Sequence, residues 1–171
     1  MDRAELQATQ APLKERYRED PAAALVTLRA AGELGAEEVA CSVDTGRALV
    51  VAGLHPATGG TGALACSGDM LLQALAACAG VTLRAVATSL GVPVAGRVLV
   101  EGDLDFRGTL GVAKDEGVPV GFRSIRLRFE LSEPAPDSEQ LATLLRLTER
   151  YCVVYQTLAG GVPVDMAVAA A

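Results

Sequence analysis

The chain has no tryptophan, three phenylalanines, three tyrosines and one histidine. Without large rings, its core has to be filled by Ala, Leu and Val. Half of the 171 residues are hydrophobic, enough for one domain of this length to bury a sizeable core. A single histidine, His55, and four cysteines with no Cys-x-x-Cys spacing do not make the ligand set of a structural zinc site. A zinc site is therefore not expected. A basic excess is also missing: the net charge is −6, which argues against a nucleic-acid surface and favours small-molecule or protein partners. The first twenty residues, MDRAELQATQAPLKERYRED, are highly charged and contain no apolar signal-peptide run. A cytoplasmic location is the expectation. Thiols there are normally reduced, so the cysteines are not read as a disulfide framework.

What the chain does have is one long apolar stretch, Ser67 to Gly91, SGDMLLQALAACAGVTLRAVATSLG. It reads as a helix that is apolar almost all the way round, which must be wrapped on several sides. Ser67 can cap its first amides, Asp69 suits the positive end of the dipole, and Gly91 supplies the left-handed residue that ends it. A membrane span needs roughly 20 uninterrupted apolar residues. Asp69, Gln73 and Arg84 interrupt this one, so the expectation is a buried helix and no membrane. Cys78 sits about three turns in, at ~3.6 residues per turn.

Residues 1–21 read as an N-terminal helical arm and 22–171 as the main domain. In the arm Pro12 can open a helix as its first residue and Pro21 closes it, while Leu13 and Tyr17, one turn apart, can dock it. From Ala24 to Leu54 the period shifts towards two, with runs around Val26, Cys41 and Leu49 separated by glycine turns, predicting a three-strand antiparallel meander. The stretch HPATGGTGALACSG reads as a flexible Gly-rich connection, with Cys66 incidental. Two strands are predicted after the long helix, one through Val98 to Phe106 with Gly102 as a possible bulge, the other from Ser124 to Leu131. A second helix is predicted from about Ser138 to Leu158, opened by an Asp137–Gln140 capping box, with Leu141, Leu145, Thr148, Cys152 and Tyr155 on one face. A last strand through Val164, Met166 and Val168 closes the chain. This order predicts an α+β fold, two helices packed on mostly antiparallel sheet.

Cys78 and Cys152 are each expected mid-helix on an apolar face. If the helices pack together, the thiols can come within the roughly 7 Å between α-carbons that a disulfide needs; both as plain core residues is the alternative. The helix SGDMLLQALAACAGVTL followed by TERYCVVYQTL resembles the OsmC/Ohr family of thiol-dependent hydroperoxide reductases, from the first strand to the end of the chain. The resemblance implies an intertwined homodimer with active sites at the subunit interface. It also implies Cys78 in the peroxidatic position, Cys152 in the resolving one, an organic hydroperoxide as substrate, a dithiol reductant, in one branch a lipoylated protein, and no metal or organic cofactor. The family further employs an Arg beside the reactive thiol, steered by a carboxylate early in the central helix. Asp69 is the carboxylate in that region. At ~100° and ~1.5 Å per residue it lies on the opposite side of the helix from Cys78 and ~13 Å along it, so it either acts through an intermediary or only compensates the dipole. Arg47 and Arg29 are candidates for the activating Arg by region, whereas Arg84 and Arg150 point elsewhere. A scaffold that binds a hydrophobic ligand without peroxidase activity, and a structural homodimer with core cysteines, are the rival functions.

Overall fold

Nine regular elements follow from these residues in a computed structural model that describes residues 3–34, 41–43 and 52–168. They are α1 (Arg3–Glu19), β1 (Leu25–Leu34), β2 (Cys41–Val43), α2 (Ser67–Leu90), β3 (Gly96–Asp105), α3 (Phe106–Leu110), β4 (Phe122–Leu131), α4 (Ser138–Tyr151) and α5 (Val153–Gly160). The strands form one antiparallel sheet in the order β2-β1-β3-β4. The third run of the expected meander, residues 44–51, lies outside the described residues. The chain is α+β, as its element order predicts, with one antiparallel sheet among the described residues and α2 as its longest helix.

The period-two pattern is realised in β3, where Val98, Val100, Gly102 and Leu104 are buried towards α2. Its other face is polar. There Asp103 accepts hydrogen bonds from the Thr27 hydroxyl, the Ser124 hydroxyl and the Arg126 guanidinium. These bonds, Arg126 first, hold the Asp103 carboxyl well below the usual carboxylate range. The ladder irregularity falls between Asp103 and Leu104, one residue past the glycine predicted to carry it.

Helix α2 crosses the sheet, contacting β1 and β3, and meets α4 and α5 beside it. Its length and composition alone would let it cross a membrane, yet half of its most apolar window is buried inside this fold. It begins one residue earlier than a Ser67 cap would give: Cys66 is the cap residue, with no side-chain bond, and Ser67 is the first helical residue. Gly91 ends it at φ 67°, its amide reaching the carbonyls of Ala87 and Thr88. The helix is not wrapped all round. Leu72, Leu75, Ala76, Ala79 and Leu83 are buried, whereas Leu71, Ala74, Val81 and Ala85 stay exposed. These four lie three, seven and four residues apart, with half-buried Cys78 in the wider gap, which is one stripe of a helix.

Four other expectations need correction. Pro12 lies inside α1 rather than opening it. The Gly-rich connection is not loose: its Pro56–Thr58 turn is capped by His55, with the Ala57 amide donating to His55 Nδ1 at 3.0 Å. The second helix is two helices, α4 and α5, meeting at Cys152. No strand forms among described residues 161–168; Val164, Met166 and Val168 are 82–96% exposed. A strand needs a ladder neighbour, and this tail has none among the described residues.

The arm is docked through the predicted residues. Tyr17 is 3% exposed and packs in the main core with Leu13 beside it. Its hydroxyl donates to the Ala57 carbonyl at 2.9 Å, and Gln10 Nε2 donates to the Thr58 carbonyl at 3.0 Å. Tyr17→Phe keeps the ring and leaves that carbonyl without this donor. The expected cost is about 1 kcal/mol, read as a lower urea midpoint with an unchanged denaturant slope.

Candidate functional site

Cys152 sits where one helix stops and another starts. Its amide closes α4 by donating to the Thr148 carbonyl at 2.9 Å, and its carbonyl accepts the Gln156 amide of α5 at 2.9 Å. Between these bonds its own backbone is extended, φ −74° and ψ 108°. The first amides of any helix have no carbonyl of their own to bond. In α5 two of them, from Val153 and Val154, hydrogen-bond the Cys78 sulfur. The same sulfur is hydrogen-bonded by the Cys152 thiol and by the hydroxyl of Thr82, four residues on from Cys78 on the same side of α2.

The two thiols are electrostatically unequal. Burial pushes Cys78 up, but the Val154 amide, the Cys152 thiol, the Thr82 hydroxyl and the Val153 amide outweigh it, leaving this thiol below its ordinary value. Burial also pushes Cys152 up. The hydrogen bond and the charge of Cys78 reinforce that rise against the Tyr155 and Val154 amides. Cys78 is therefore the more readily ionised member, with the Cys152 thiol as one of its hydrogen-bond donors. A thiolate is the nucleophilic form of cysteine, and this pair sets the more acidic thiol beside a second, less acidic one. Both are reduced in the structure. Cys78 is half-buried, within the exposed stripe of α2, while Cys152 is 1% exposed.

The other residues expected at the site are not gathered here. Asp69 lies in the first turn of α2. Burial raises its pKa, and the opposing charge is that of His55, whose ring stacks on Phe106 with centroids 4.8 Å apart. Asp69 thus faces the loop that precedes the helix, away from the sulfurs, as the helical geometry predicts. Arg47 and the side chains of Arg29 and Cys41 lie outside the described residues. Arg84 donates to the Val94 carbonyl at 2.7 Å, and the Arg150 guanidinium lies 5.4 Å from the centroid of the Tyr151 ring. Among the described residues, the groups lowering Cys78 are amides, a thiol and a hydroxyl, not a guanidinium.

Thr82 was legible in the sequence, since residues i and i+4 share a helix face. The Val153 and Val154 amides were not, because no Gly or Pro marks the break that frees them. Thr82→Val should slow alkylation of Cys78 by iodoacetamide roughly tenfold at neutral pH, the worth of one hydrogen bond to a charged group. The pH midpoint should move up, because the thiolate loses a donor, and Thr82→Ser should restore it. An unmoved midpoint would remove Thr82 from the account.

Beside the pair, β4 and the α4–α5 helices enclose a cleft of about 920 Å³. Leu75, Ile125, Leu127, Phe129, Leu141 and Leu145 give it apolar walls, and Thr148 and Cys152 also line it. The predicted helix face of Leu141, Leu145, Thr148, Cys152 and Tyr155 is the face that borders it.

A family model described as OsmC-like protein matches residues 60–167, more than half of the chain and both cysteines of the pair. A comparison with curated proteins finds no match. The thiol pair, its setting between α2 and α5, and this match identify the chain as a member of the OsmC-like protein family.

Proposed function

We propose that the protein is a cysteine-based hydroperoxide reductase acting on organic hydroperoxides in the cytoplasm, regenerated by a dithiol. The observation that supports it most is the polarised pair, with the Cys78 sulfur cradled by the Val153 and Val154 amides and in contact with the Cys152 thiol. In the first step the Cys78 thiolate attacks the terminal peroxide oxygen. An S–O bond forms, the O–O bond breaks, and the alkoxide leaves as the alcohol after taking a proton. Cys78 is then a sulfenic acid. Cys152 attacks that sulfur, water leaves, and the pair becomes a disulfide. The amides that favour negative charge on Cys78 need no proton exchange of their own and no movement during the step, which is why fixed dipoles suit this task. Apolar surroundings favour an alkyl hydroperoxide over hydrogen peroxide.

A homodimer is part of the proposal. The exposed stripe of Leu71, Ala74, Val81 and Ala85 surrounds Cys78 on its open side, and the alternating apolar tail of Val164, Met166 and Val168 is almost fully exposed. Contiguous apolar surface of this kind marks a contact surface. An unpaired alternating segment is suited to adding a strand to another sheet. The dimer would border the stripe with partner residues and leave the approach to Cys78 as an apolar channel between the two chains. Sedimentation at micromolar concentration should give twice the chain mass, and a monomer would overturn this part.

The enzyme activity itself is tested by steady-state consumption of cumene hydroperoxide with dithiothreitol as reductant. Many turnovers per chain are expected. Consumption no faster than that by dithiothreitol alone would overturn the assignment. The apolar cleft would then favour the second reading, a scaffold holding a hydrophobic ligand, to be sought by mass spectrometry of the purified protein.

A further inference from the structure

The two sulfurs of the pair are bordered by different surfaces. Cys78 belongs to the stripe on α2, where Leu71 and Val81 are each 38% exposed. Cys152 lines the cleft between β4 and α4–α5, and Cys78 does not. A second group in the cleft calls for a ligand. Thr148 Oγ1, one helical turn before Cys152, is buried and has no hydrogen-bond partner among the described residues, and the residue is 2% exposed. A buried hydroxyl without a partner is costly, and a hydrogen-bonding guest in the cleft would remove that cost.

We propose that this cleft is the entrance for the dithiol reductant, which attacks Sγ of Cys152 in the Cys78–Cys152 disulfide while Thr148 Oγ1 holds the incoming sulfur. The peroxide, in contrast, approaches Cys78 from the α2 stripe. The inference rests on the peroxidase reading above, which supplies the disulfide. One thiolate of the reductant forms a bond to Cys152 Sγ, the protein S–S bond breaks, and its electron pair leaves on Cys78. The second thiol of the reductant then attacks the reductant's own sulfur in that mixed disulfide. Cys152 is released and takes a proton, and the reductant departs as a disulfide. Two electrons and two protons pass from the reductant to the cysteine pair.

The electrostatics favour this direction of cleavage as well as the access. Exchange is faster when the leaving thiol has the lower pKa. Cys78, bonded by the Val153 and Val154 amides, is that thiol. Attack on Cys78 would instead expel Cys152, whose charge burial and the neighbouring sulfur disfavour. Thr148 is a positioning residue in this scheme, because it holds the attacking sulfur without exchanging electrons.

The test starts from full-length protein oxidised to the disulfide with diamide. It is treated with a monothiol, 2-mercaptoethanol, in the presence of iodoacetamide, and the products are mapped by peptide mass spectrometry. The mixed disulfide is expected on Cys152 and the carbamidomethyl group on Cys78. The reverse pattern would overturn this proposal alone, whereas failure of any disulfide to form would overturn the peroxidase reading and this proposal with it. A second measurement uses Leu145→Trp, at a cleft residue 42% exposed. Reduction by dithiothreitol should slow at least tenfold while oxidation of the reduced protein by cumene hydroperoxide keeps its rate. Equal slowing of both, or of neither, would contradict separate entrances. Thr148→Val should slow reduction severalfold with oxidation unchanged, and Thr148→Ser should recover it.

Discussion

Cys78→Ser abolishes hydroperoxide consumption, to below one-thousandth of the unmodified rate. The expectation follows from the chemistry of the position. A serine hydroxyl in the same cradle stays protonated at neutral pH, since the Val153 and Val154 amides and Thr82 favour a negative charge by far less than the gap between a hydroxyl and a thiol. Oxygen is also a poor nucleophile towards the peroxide bond. The fold should survive, because Cys78 is half-buried and Ser is of similar size. Cys152→Ser separates the two steps. Cys78 should still react once, and its sulfenic acid should be trapped by dimedone, but turnover with dithiothreitol should fall because no disulfide can form. Retained consumption in Cys78→Ser would place the chemistry elsewhere in the chain.

Leu72→Ala has the largest expected effect on stability. Leu72 is fully buried in the main core, one turn before Ala76 and beneath the sheet. It fills a recess that the sequence leaves open at Gly102. A Cβ built on that glycine would meet Leu72 Cδ2 at 3.2 Å and the Phe122 ring at 2.4 Å. The side chain thus shares that recess with the Phe122 ring. A truncation of this kind costs about 3 kcal/mol, within the roughly 2–5 kcal/mol seen for buried leucines. For a chain of this size the thermal midpoint should drop by about 6–12 °C, measured by circular dichroism with both thiols reduced. A drop of a degree or two would mean that α2 and the sheet repack around the hole.

Local chemistry made parts of this fold readable before any coordinates. The Asp137–Gln140 capping box is formed in both directions, Asp137 Oδ1 accepting the Gln140 amide at 2.8 Å and Gln140 Oε1 accepting the Asp137 amide at 3.2 Å. Gly91 ends α2 because a left-handed residue is needed there. The alternation in β3 and β4 put their core faces in view. Cys78 and Cys152 were found through a resemblance that the family match supports, and their contact depends on helices far apart in sequence.

What was hidden depended on tertiary partners. Arg150 to Tyr155 contains no breaker, so a continuous helix was the natural expectation. At the actual break the α5 amides hydrogen-bond a sulfur on α2, a partner that no local rule reports. The Arg expected beside Cys78 came from the family resemblance, which says nothing of the donors that a helix start can supply. The apolar circumference of α2 suggested complete wrapping, yet one chain leaves Leu71 and Val81 partly uncovered. The final strand failed for the same reason: Val164, Met166 and Val168 have the right alternation and no neighbouring strand among the described residues.

The central claim is that Cys78 and Cys152 form one polarised redox pair. Its most direct test is a single turnover: reduced protein mixed with a slight excess of cumene hydroperoxide at neutral pH, with thiol loss followed in time and the product mapped by mass. The account predicts loss far faster than that of a free thiol in the same buffer, ending in a Cys78–Cys152 disulfide. Loss at the free-thiol rate, or a product that leaves Cys152 reduced and Cys78 without a partner, would contradict it.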